Sequence, residues 1–209
     1  MPWRKVDAES HRIMPWKNGG GSTAEIAIGP STATVGSAFD WRLSIATITR
    51  DGPFSAFPGY DRFITLLAGK GMVLTFDGTD RQRLERPFEP LRFAGERRTD
   101  CRLIDGVCED LNLIVARDRI ASEIAVLTPP RATGRLWRIG QAGGTRLLFM
   151  LRGRAAATGD AAQGLALNPR DTMIAEGAGA VPDFDPSEDA VALYAVLNPL
   201  RRGRQAAVR

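Results

Sequence analysis

Short apolar stretches that alternate with polar residues, each cut off within a few positions by a turn signal, set the strongest limit on what this chain can fold into. Trp41-Arg42-Leu43-Ser44-Ile45-Ala46 alternates with period two, as do Met72-Val73-Leu74-Thr75-Phe76 and Leu111-Asn112-Leu113-Ile114-Val115 with their neighbours. That is the period of a strand and not of a helix. Between such runs recur Asp51-Gly52-Pro53, Phe57-Pro58-Gly59, Asp77-Gly78 and Asp105-Gly106, which end a strand because Gly admits turn conformations and Pro cannot donate to a ladder. Helical periodicity is scarce. The pattern predicts an all-β chain of antiparallel sheets closed into sandwiches or barrels.

The same pattern occurs twice, at an offset of about 80 residues. Phe63-Ile64-Thr65-Leu66-Leu67-Ala68-Gly69 matches Leu147-Leu148-Phe149-Met150-Leu151-Arg152-Gly153, Pro90-Leu91-Arg92-Phe93-Ala94-Gly95 resembles the stretch from Pro169 to Gly177, and Asp110–Val115 resembles Asp189–Val196. Two similar barrel units in one compact chain are the simplest account. The joint is expected near Thr128-Pro129-Pro130-Arg131-Ala132-Thr133-Gly134, giving a first unit of residues 1–127 and a smaller second unit of residues 128–209. Most polar and aromatic residues lie in the first copy, whereas the second is rich in Ala. The ligand site is therefore expected in the first unit.

Composition excludes several classes. At 209 residues and 44% hydrophobic content the chain can bury a sizeable core. No apolar stretch approaches the roughly 18 residues that span a bilayer, and Met1-Pro2-Trp3-Arg4-Lys5 runs into acidic residues and not an apolar leader. A cytoplasmic protein with no membrane partner is the expectation. Cys101 and Cys108 lack CxxC spacing and read as reduced thiols. The net charge of +4 comes from Arg scattered among acids, with one cluster at Arg201-Arg202-Gly203-Arg204. No basic stripe interleaved with aromatics is present, so no nucleic-acid partner is expected. The single histidine, His11, cannot build an imidazole-rich metal site. A metal-free pocket with no cofactor follows.

Candidate site residues gather in four segments. Met14-Pro15-Trp16-Lys17-Asn18-Gly19-Gly20-Gly21, followed by Ser22-Thr23-Ala24-Glu25, crowds an indole, an amine, an amide and a carboxylate around three glycines, a mixture that core packing does not require. Lys17 is one of only three lysines. Arg42 and Ser44 share one face of a strand, opposite Trp41, Leu43 and Ile45. The turn-rich loop Gly52–Tyr60 carries Phe54, Ser55 and Phe57 into Asp61 and Arg62, either as an aromatic cap with an exposed ion pair or as a binding loop. Asp110 and Asn112 lie on a late, apolar strand, where Asn112 serves either a structural hydrogen bond or a ligand. Lys17, Arg42 and Arg62 set against Glu25 and Asp61 suit a small anion, because a guanidinium holds a carboxylate through two parallel charge-assisted bonds.

MPWKNGGGSTAEIA, FDWRLSIATI, GPFSAFPGYDR with ITLLAGKGMVL, and DLNLIVARD together resemble the HutD/Ves family, over roughly residues 11–120 with weaker agreement beyond. The resemblance implies a bicupin, two antiparallel jelly-roll-like β-barrels, working in bacterial histidine utilisation as a regulatory or small-molecule-binding protein, with N-formylglutamate as proposed ligand. Carried over position by position, the family pattern and the pocket reading give Trp16, Lys17, Asn18, Glu25, Arg42, Ser44, Phe54, Ser55, Asp61, Arg62 and Asn112 as ligand-binding residues. A homodimer is compatible with this reading. The alternative is a metal-independent hydrolase or isomerase acting on a small acylated amino acid, with Lys17 or Glu25 moving the proton.

Overall fold

In the computed structural model, the residues described are 3–30, 32–33, 37–129, 136–140, 143–159, 164–178 and 181–200. The Arg201–Arg204 cluster and most of the expected joint after Pro129 lie outside them. In chain order the strands of the first part are β1 (Trp3–Val6), β2 (Arg12–Pro15), β3 (Gly21–Gly29), β4 (Trp41–Ile48), β5 (Gly52–Pro53), β6 (Tyr60–Ala68), β7 (Met72–Phe76), β8 (Asp80–Leu84), β9 (Pro90–Ala94), β10 (Thr99–Leu103), β11 (Cys108–Ala116) and β12 (Ile120–Leu127). The rest are β13 (Thr145–Arg152), β14 (Ala155–Ala157), β15 (Ala166–Leu167), β16 (Thr172–Glu176), β17 (Phe184–Pro186) and β18 (Val191–Pro199). All their pairings are antiparallel. Among the described residues a short 3-10 turn, Ala8–Ser10, interrupts the series, and no helix there is long and apolar enough to cross a membrane.

The strands form four sheets: β2-β3-β4-β11-β6-β9, β5-β10-β7-β8, β1-β16-β13-β18-β12 and β15-β14-β17. The order β4-β11-β6-β9 in the six-stranded sheet is repeated as β12-β18-β13-β16 in the five-stranded one, so the duplication read in the sequence is a duplication of strand neighbours. Each large sheet packs one face against its own small sheet. Ile64, Leu66, Leu74, Phe76 and Phe93 fill the first of these cores, and Leu148, Met150, Met173 and Phe184 fill the second.

The other faces of the two large sheets meet in the largest core, where Leu43, Ile45, Leu111, Leu113 and Val115 pack in one cluster with Leu147, Phe149, Leu193 and Leu197. Strands covered on both faces need apolar side chains at successive positions. That is why Leu147–Leu151 reads as an unbroken apolar run. β1 and β12, both within residues 1–127, hydrogen-bond to β16 and β18, so a cut between residues 127 and 128 leaves two strands of the five-stranded sheet on the first side. The N-terminal crossing is also held by Asp171, 4% exposed, which accepts from Lys5 Nζ at 2.8 Å and from the backbone N–H groups of Ala8 at 3.0 Å and Asn168 at 2.8 Å.

Candidate functional site

The six-stranded sheet presents alternate residues of neighbouring strands toward the four-stranded sheet. Across that face Arg42, Ile114 and Arg62 form one row, Ser44, Asn112 and Ile64 the next, and Ala46, Asp110 and Leu66 the third. The intervening residues Trp41, Leu43, Leu111 and Leu113 point into the central core, as the period of two requires. Over this face a cavity of about 540 Å³ opens, reached by residues of all three rows. It is lined by Trp16, Lys17, Asn18, Arg42, Ser44, Phe54, Ser55, Arg62 and Asn112 from among the candidate residues, and by Met14, Thr23, Ala46, Phe57, Asp110 and Ile114 besides.

Its mouth is the glycine-rich segment. The Trp16 indole N–H donates to Thr23 Oγ1 at 2.8 Å, Asn18 Oδ1 accepts from the Gly20 N–H at 2.9 Å, and the Asn18 carbonyl accepts from Arg50. Gly19 takes φ +66°, and a Cβ on Gly21 would stand 2.2 Å from the Thr47 carbonyl oxygen, so these two positions need glycine for the loop to close against β4. Lys17 is exposed at this mouth.

Of the cations that line the cavity Arg62 is the most buried, only 4% exposed. Its guanidinium lies 5.3 Å from the Phe54 ring centroid, 5.4 Å from Phe57 and 5.2 Å from Phe93, and one Nη donates to the Ser55 carbonyl at 3.2 Å. Its Nε has no hydrogen-bond partner. Burial pulls its pKa down to about 10, against the attraction of Asp110 and together with the repulsion of Arg42. A guanidinium remains charged at any neutral pH all the same. Three rings and a carbonyl thus hold a cation with an unspent donor.

Asp110 is buried to 1% exposure, and neither of its oxygens has a hydrogen-bond partner. Burial pushes its carboxyl up to about 7, although the charge of Arg62 works in the opposite direction. Desolvation wins because its row neighbours, Ala46 and Leu66, are apolar. Asn112 Oδ1 is likewise buried and unpartnered. One unspent donor and three unspent acceptor atoms on one cavity are unusual in a folded protein, where buried polar atoms are nearly always paired. The arrangement can take a carboxylate on Arg62 while the acidic side offers hydrogen bonds to polar groups of the same molecule.

Two candidates do not line the cavity. Asp61 precedes Arg62 on β6 and therefore faces the other way, where it accepts from Arg92 at 2.6 Å and from Arg117 at 2.8 Å. It does not steady Arg62. Glu25 accepts from Arg42 Nε at 2.8 Å and lies 3.6 Å from Arg12, so it braces Arg42 and does not reach the cavity. Asp110 and Phe57, which stand in the candidate segments but outside the eleven ligand-binding residues, line the cavity as well. For Asp110 the signal was available, since it has the same strand parity as Asn112. Among the described residues no three His, Cys, Asp or Glu side chains gather as metal ligands.

Comparison with known proteins places this geometry in a lineage. The chain is similar over 117 residues, at 44% identity, to an uncharacterized 21.2 kDa protein in the hutC 3' region of Pseudomonas putida, an overlap of 56% of this chain and 60% of that protein. It is 36% identical over 130 residues to protein Ves of Cronobacter sakazakii, covering 62% of this chain and 69% of that one. Among solved structures, HutD from Pseudomonas fluorescens SBW25 superposes with a TM-score of 0.75 at 33% identity, over 96% of this chain and all of that chain. A cupin 2 conserved barrel domain protein from Leptotrichia buccalis, 10% identical with a TM-score of 0.55 over 84% of this chain and 88% of that chain, shares the cupin barrel fold. The HutD family model matches residues 8–191, and the chain belongs to the HutD family.

Proposed function

We propose that this protein binds a small carboxylate metabolite of histidine breakdown, N-formylglutamate or a close relative, in the first-unit cavity and thereby senses or buffers its level in the cytoplasm, without metal, cofactor or nucleic acid. The observation that supports this reading is Arg62, buried among three aromatic rings with its Nε unspent, facing a cavity that also holds the unpartnered oxygens of Asp110 and Asn112. A ligand with a carboxylate at one end and an amide at the other supplies partners to both sides. Lys17 at the mouth and Arg42 on the wall add positive charge for a second carboxylate. Calorimetric and thermal-shift titration with histidine, urocanate, formiminoglutamate, N-formylglutamate and glutamate tests it. Saturable binding of one acylated or carboxylate metabolite is expected, and no response to any of them overturns the reading.

A second reading, a metal-independent hydrolase or isomerase, draws support from Asp110, a buried acid titrating near neutrality in a cleft beside a guanidinium. In that reading the proton is moved by Asp110, because Glu25 is spent on Arg42 and Lys17 sits at the exposed mouth. Incubation of the same metabolites with the protein, followed by mass spectrometry, decides between the two. Turnover abolished by Asp110→Asn would establish the enzyme.

A further inference from the structure

Asp110 and an incoming carboxylate would both lie under the charge of Arg62, to which Asp110 makes no hydrogen bond. Asp110 lies on β11 between Ala46 of β4 and Leu66 of β6, and the charge that acts on it is that of Arg62, in the cavity they share. The other ionisable groups around it leave it little relief. Arg42, from β4, is engaged by Glu25; Lys17 stands at the mouth; the buried thiols of Cys101 on β10 and Cys108 on β11 feel its charge as a repulsion. Glu109, one residue earlier on β11, pairs with Arg170 and Thr47 and not with the cavity. Asp51 accepts from the Leu103 N–H at 2.8 Å. Two carboxylates drawn toward one guanidinium raise each other's pKa, which favours the neutral form of the one already buried.

We propose, resting on the carboxylate reading above, that Asp110 contacts the ligand as a neutral carboxylic acid, so that the cavity takes up a carboxylate together with one proton. The proton comes from solvent and bonds to one Asp110 oxygen. The resulting O–H donates to a ligand carboxylate oxygen, while Arg62 keeps the net negative charge of that ligand group. The unpartnered state of both Asp110 oxygens supports this assignment, because a carboxylate meant only to neutralise Arg62 would be hydrogen-bonded to it. The selectivity that follows is for carboxylates over their uncharged amides, and for complexes formed on the acid side of neutrality.

The test is isothermal titration calorimetry of the wild-type protein with N-formyl-L-glutamate, and with formate as the minimal carboxylate, in buffers of different ionisation enthalpy at about pH 6 and about pH 8.5. The expected result is uptake of close to one proton per ligand at the higher pH and much less at the lower, with affinity falling up to about tenfold per pH unit above neutrality. Asp110→Asn should bind with no proton uptake and an affinity that no longer follows pH over this range. Binding by the wild type with no proton uptake at the higher pH overturns the proposal and leaves the carboxylate reading standing, and this measurement needs no variant. Loss of binding at every pH in a folded Asp110→Asn also overturns it, since it would make Asp110 an obligatory acceptor. Binding of neither probe at any pH overturns the functional reading and this proposal with it.

Discussion

Exchanging Arg62 for lysine keeps the charge but removes both the planar fork and the ring stacking that hold it against Phe54, Phe57 and Phe93. In a site this buried, Arg62→Lys should weaken N-formyl-L-glutamate binding by about 2 kcal/mol or more, while Asp61→Asn, on the opposite face, should leave affinity unchanged; calorimetry on the two variants checks both. Asp110 carries a stability signature as well. Its carboxyl is raised from 3.8 to about 7, so the stabilising, neutral form is fully present below its unfolded value and is lost as pH rises through neutrality. Unfolding free energy should therefore fall between about pH 4 and about pH 8 by on the order of 4 kcal/mol from this group, and denaturant titrations of Asp110→Asn should show that slope removed. The place of Arg62 on the cavity wall was legible because it follows a turn-rich aromatic loop. Asp61 was misplaced because pairing adjacent opposite charges ignores that successive strand residues face opposite ways. That Asp110 is unpartnered depends on its neighbours across the sheet, Ala46 and Leu66, which lie far from it in the chain.

β1 illustrates how an element is secured by one side chain. Asp171 is drawn down, because the hydrogen bonds from Lys5, Asn168 and Ala8, with the charge of Lys5, outweigh the effect of its burial. Its contribution is present above the ordinary Asp value and lost as pH falls below it, on the acid side of the window in which Asp110 acts. Asp171→Ala leaves the Ala8 and Asn168 N–H groups without their acceptor and should cost about 2 kcal/mol. Amide hydrogen exchange should then quicken in residues 3–10 before any other strand. The strands themselves were legible wherever apolar and polar residues alternate, as in Trp41–Ala46. The neighbour order was legible only through the internal repeat. The N-terminal strand, Trp-Arg-Lys-Val, gives no local hint of its distant partner.

The two large sheets share the largest core, in which Leu43, Leu111 and Leu113 of the six-stranded sheet cluster with Phe149 and Leu193 of the five-stranded sheet. A fragment of residues 1–127 would expose that face, along with β1 and β12 stripped of their partners, and should not give a soluble folded species. Phe149→Ala, at a site with no exposure, should cost about 3–5 kcal/mol and lower the ligand-binding and circular-dichroism transitions together in one cooperative step. β1 also imposes an order on the birth of the molecule. As the ribosome extrudes the chain, Trp3 emerges long before its pairing partner Ala175. β1 thus waits unpaired while the residues between the two are made, and until Ala175 and its neighbours emerge a nascent chain carries an open edge on this strand.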